Sequence, residues 1–192
     1  MSSHRIRMSA AALTAVVALP LSLGTLAPQA FADTPSPFGP GCSSLPNSGK
    51  GSATGMSKER VATAAANNPK LTELVLALKD AGLTTKLNDA KNITVFAPTN
   101  AAFDKISKMQ LAGLLKDKAQ LKKVLTYHVV DRTITPSELP NGSFKTLEGS
   151  MLKTSGSGTS FNVNDTAKIV CGDIKTANAT VYLVDTVLMP PS

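Results

Sequence analysis

The sequence predicts an α+β fold, helical in its N-terminal half and mostly strands in its C-terminal half. Three observations carry this. Between residues 57 and 125, apolar residues recur at three- and four-residue spacing, the signature of a helix with one buried face. From Phe144 onward, short β-rich runs are separated by Gly and by Asn164-Asp165. The regular strand–helix alternation of a parallel sheet is missing, and no internal repeat occurs. The 192 residues are 42% hydrophobic, enough for one cored domain and too few for a polytopic membrane protein.

The elements follow in order. Residues 1–32 read as a secretory signal peptide. Arg5 and Arg7 precede an apolar run over 9–27, interrupted by Pro20 and Gly24, and Ala30-Phe31-Ala32 fits a small-x-small cleavage site. Cleavage is expected after Ala32, with Ala30 as the alternative. Loss of two Arg and no acid lowers the net charge from +7 to +5. No later stretch is long and apolar enough to span a bilayer. The expectation is a secreted monomer, with retention at the cell wall left open.

Outside the cytosol an even cysteine count means a disulfide, and Cys42 with Cys171 is the only pairing. It closes a loop of about 130 residues, worth about 5 kcal/mol in the chain-entropy model. Residues 33–55, rich in Pro, Gly and Ser, read as an irregular arm. A single domain is expected over 56–192.

Ser57 is expected to cap a helix that stops before Pro69. A second helix is expected over 71–81, with Leu71, Leu74, Val75 and Leu78 on one face and Gly82 as its stop. The polar stretch 84–92 reads as a connection. Strand composition returns at 93–96 and Pro98 ends it. Thr99 or Asn100 should cap a helix that buries Phe103. Two amphipathic patches follow, Leu111/Leu114/Leu115 and Leu121/Val124/Leu125. Residues 127–130 turn to strand composition. Further strands are expected over 144–147, 150–154, 159–163, 167–171 and 180–188.

The chemistry is limited. Beyond the leader the one imidazole is His128, which excludes zinc sites built from several His or Cys. Residues 48–52 lack the spacing of a phosphate loop, and Ser150-Met151-Leu152-Lys153 lacks the companion motifs of a Ser–Lys enzyme. No cofactor is implied. A hydrolase using His128 is a remote alternative. The notable charge feature is lysine: residues 105, 108, 116, 118, 122 and 123, against Asp104 and Asp117. Lys116, Lys118, Lys122 and Lys123 form a candidate face for acidic cell-envelope polymers, or a solvated helix face. Nucleic acid is excluded as a partner by secretion and by the lack of aromatic interleaving.

Three segments together resemble the fasciclin domain: residues 94–103 (TVFAPTNAAF), 125–130 (LTYHVV) and 181–190 (VYLVDTVLMP). In the arm and near Cys171, Gly39-Pro40-Gly41-Cys42, residues 65–69 and Ile169-Val170-Cys171-Gly172 look like the secreted immunogenic fasciclin antigens of mycobacteria. The resemblance implies a β-sandwich or wedge with helices packed along it, and a disulfide between the arm and a late strand. It also implies a non-enzymatic adhesion module that binds a cell-surface or matrix protein. The family's adhesion segments carry over to Tyr127, His128, Asp173 and Ile174 as candidate partner contacts. One departure stands out: Asn178-Ala179 replaces the Asn-Gly of many relatives. An Ala forced to positive φ would strain that turn.

Overall fold

The computed structural model describes residues 36–191, so the expected leader and both cleavage sites lie outside the described residues. Helices come first: α1 Ala53–Met56, α2 Val61–Ala66, α3 Thr72–Asp80 and α4 Thr84–Asp89. After strand β1 (Ile93–Pro98) come α5 Asn100–Asp104, α6 Lys108–Lys116 and α7 Lys118–Tyr127. Strands then dominate: β2 Val129–Val130, β3 Ser143–Lys145, β4 Met151–Ser157, β5 Ser160–Val163, β6 Ala167–Lys175 and β7 Ala179–Val184. The α+β expectation is met.

The strands form one sheet in the order β2-β1-β7-β6-β5-β4-β3. β1 and β7, second and third in that order, run parallel, and the remaining pairs are antiparallel. A bridge between Val130 and Thr146 joins the two ends of the sheet, which curls into a wedge. The parallel pair is buried on both faces, which is why its sequence is almost continuously apolar. Alternation along it divides two cores. Ile93, Val95, Ala97, Val181 and Leu183 face the helices. Phe96, Tyr182 and Val184 face the interior of the curl. Apart from Phe103 the helical core is built of non-aromatic side chains, chiefly Ala, Leu and Val, whereas the curl holds Phe96, Tyr127, Phe144, Phe161 and Tyr182.

Several local expectations need correction. Ser57 caps no new helix; it ends α1, and Ser52 is the N-cap, accepting from the Gly55 N–H. Residues 84–92 contain the short helix α4, missed because Leu87 alone of it is buried. Tyr127 belongs to α7 and His128 is its C-cap, so β2 starts later than composition implied. β7 ends at Val184, and the chain leaves the sheet for α7. The strain expected at Ala179 is absent. Ala179 pairs with Ile93 as the first residue of β7, and its φ is not positive.

Helix starts that lack a local cap are capped from afar. The Asn178 Oδ1 accepts from the Val61 N–H, and the Asn88 Oδ1 accepts from the Ala62 N–H. Asn100 does the same for α3 through the Glu73 N–H. Asn178 also donates to the Leu87 and Ala90 carbonyls, so one amide ties α2, α4 and β7 together. These bonds satisfy donors that every helix N-terminus leaves open.

Candidate functional site

The arm is held twice. Cys42 is bonded to Cys171 in β6. Phe38 and Gly172 exchange backbone hydrogen bonds of 3.1 and 2.8 Å. Gly172 has no room for a side chain: a Cβ there would lie 2.6 Å from the Phe38 ring and 2.8 Å from that of Tyr182. The Phe38 ring meets Phe161 edge-on at 5.5 Å, closing one mouth of the curl.

Beside this closure β6 is irregular, with register shifts on either side of Cys171, and Asp173 takes φ 59°. The twist turns the Asp173 carboxylate inward, where only 2% of the residue is exposed, and Lys175 donates to it. Lys175 also donates to Thr180. Ile174 is fully buried against the helical core. Burial, then the charges of Asp173 and Glu138, pushes the Tyr182 phenol above its usual range, and its hydroxyl donates to the Ile134 carbonyl.

Tyr127 and His128 are equally enclosed. The Tyr127 hydroxyl donates to the Met151 carbonyl at 3.1 Å and accepts from Asn164 at 2.7 Å. His128 Nδ1 lies 2.8 Å from the Val124 carbonyl, and Nε2 accepts from the Leu188 N–H at 2.9 Å. The second bond requires a bare Nε2, so the proton sits on Nδ1. Burial drives the pKa of His128 from 6.5 to about 4, against the opposing pull of the Val124 carbonyl. Both ring nitrogens are engaged, which leaves neither for proton transfer to a substrate.

Tyr127, His128, Asp173 and Ile174 are therefore all inside the fold. The structure gives each an internal partner and shows none of them to solvent. The lysines are placed differently. α6 and α7 form a hairpin around Asp117, whose carboxylate accepts from the Ala119 and Gln120 N–H groups and so caps α7. Lys116, Lys118, Lys122 and Lys123 are all exposed. Lys118 and Lys122 sit one turn apart on one face of α7. Lys123 lies 3.6 Å from Glu148; among the described residues Lys116, Lys118 and Lys122 make no ion pair. Lys105 is bound to Asp185 at 2.9 Å and stands apart from this set.

Comparison with known proteins gives a consistent picture. The sequence model of the fasciclin domain matches residues 69–190. The cell surface glycolipoprotein MPB83 of Mycobacterium bovis is 46% identical over 149 residues, 75% of this chain and 66% of that protein. The chain thus spans just under two thirds of that relative's length. The immunogenic protein MPB70 of Mycobacterium bovis is 40% identical over 190 residues, 95% of this chain and 91% of that protein. Among solved structures, a FAS1 domain pair from the insect cell adhesion molecule fasciclin I matches with a TM-score of 0.61. That match covers 71% of this chain and 52% of the other, at 15% identity, and speaks for the fold alone.

Proposed function

The chain belongs to the fasciclin domain family, and on that premise we propose that it is an exported, non-enzymatic binding module of the adhesion type, acting at the cell surface. Removal of residues 1–32 releases the mature protein in this reading. The contact surface is the lysine-rich α6–α7 hairpin rather than the Tyr127–His128 and Asp173–Ile174 segments. One observation carries this choice: all four of those residues are buried, while Lys116, Lys118 and Lys122 stand in water and, among the described residues, make no ion pair. The partner is then acidic, as a matrix or cell-surface protein or as an envelope polymer.

Retention of the purified mature domain on isolated cell envelopes, over a salt series, tests the reading. Screening lengths shrink from ~8 Å at 0.15 M salt to ~3 Å at 1 M, so retention through exposed lysines falls steeply. Protease-treated envelopes separate the partners, because a polymer survives the treatment and a protein does not. Retention that ignores salt would overturn the lysine surface.

A further inference from the structure

On one side of the α6–α7 hairpin lies an open groove of about 520 Å³, lined on its third side by the C-terminal residues 189–191. Gln110, Gly113 and Leu114 line it from α6, and Gln120, Lys123 and Val124 from α7. The two helices thus offer the same i, i+3, i+4 spacing to one trough. Leu114, Val124, Met189 and Pro190 make the walls apolar. Met189 is 51% exposed along the rim, a large apolar side chain left in water.

Two features say what would fill the groove. The first is Gly113. A glycine inside a nine-residue helix weakens it relative to alanine. Packing does not require this one: a Cβ built at 113 meets nothing within 4 Å, and its φ is not positive. The residue instead leaves the helix backbone bare along the trough. The second is the polar lining, which contains no carboxylate among the described residues. It consists of two amides and one ammonium. The Gln110 Oε1 already accepts from the Ser107 hydroxyl, which turns its NH₂ into the available group. Among the described residues Lys123 pairs with one carboxylate, Glu148 at 3.6 Å, which does not line the groove. The available side-chain donors face an apolar trough, a pattern that suits an anionic head on an aliphatic chain.

We propose that this groove is a binding site for a single-chain amphiphile, a long-chain carboxylate, with its head at Lys123 and the two glutamines and its chain laid over Gly113 against Leu114, Val124 and Met189. The site is distinct from the Lys118–Lys122 face and does not depend on what that face binds.

Titration with cis-parinarate, a polyene C18 carboxylate, tests the site directly, since no tryptophan in the chain interferes. The wild-type protein should give saturable, one-to-one enhancement of probe fluorescence. Gly113→Leu fills the trough and should weaken binding at least about tenfold, equivalent to ~1.4 kcal/mol, with the melting temperature unchanged or raised. Lys123→Gln should weaken the carboxylate about fivefold and leave the matching neutral alcohol unaffected. Should Gly113→Leu fail to fold, Met189→Asp gives the same decision, with an expected loss of about tenfold. The proposal is overturned if the wild type shows no saturable binding, or if a folded groove-filling variant binds like the wild type. Association with anionic vesicles but not with monomeric probe would equally overturn it, in favour of a bilayer surface.

Discussion

The interior of the wedge and the exposed face of the α6–α7 hairpin treat polar atoms in opposite ways. In the interior Tyr127, His128 and Asp173 are buried, and each has its hydrogen-bond partners within the chain. On the hairpin its own carboxylate, Asp117, is used as a helix cap, and Lys116, Lys118 and Lys122 are left to solvent. A buried polar group is expensive unless satisfied, so the first region acts as a frame. Solvated charges contribute little to stability and remain available to a partner. Residues that mark the family are thus those that hold the wedge together, and the surface most open to binding carries no family motif.

Substitutions can break this contrast, beginning with the largest expected effect. Replacing Cys42 and Cys171 by Ser frees the arm and should cost about 2–5 kcal/mol, read as a lowered urea midpoint. Phe38 would lose its anchor beside Gly172, so hydrogen exchange at those two amides should rise first.

The next effect is a pH dependence. His128 is neutral in the folded protein, with its pKa depressed from 6.5 to about 4. The unfolded chain therefore binds the extra proton between those two values. Stability is full above pH 6.5 and declines as pH falls toward 4, by up to about 3 kcal/mol. Protonation would also set an N–H of His128 against the Leu188 N–H and release the C-terminal segment. His128→Phe should be less stable at pH 7 and should lose most of that slope; an unchanged slope would assign it to other groups.

Asn178→Ala removes the cap of Val61 together with the bonds to Leu87 and Ala90, and should cost about 2–3 kcal/mol. Tyr127→Phe deletes one hydroxyl between Met151 and Asn164 and should cost about 1–2 kcal/mol with partner binding unaffected. A loss of binding at full stability would return Tyr127 to the contact surface.

The sequence revealed the elements whose pattern is local. The apolar run at 93–96 and the face Leu71/Leu74/Leu78 mark β1 and α3 because burial imposes their period. Other features rest on long-range contacts. α2 takes its cap from Asn178, 117 positions away, while Ser57, which looks like its cap, ends the preceding helix. Composition extends β7 to residue 188, but the chain departs at Val184 so that Leu188 can bond His128. Tyr127 and Asp173 were legible as motif residues; their burial was not, since it depends on a positive φ and on strands that meet only in the fold. The groove at Gly113 escaped for a related reason. Its third wall, residues 189–191, is distant in sequence from α6 and α7.

The most direct test compares Lys118→Glu/Lys122→Glu with the wild type on the same envelope preparation at 0.15 M salt. Both residues are exposed and make no ion pair among the described residues, so stability should change by less than about 0.5 kcal/mol. Retention should fall at least about tenfold, and the salt dependence should flatten with it. Retention equal to the wild type, with the same salt dependence, would contradict the account and move the contact surface off the hairpin.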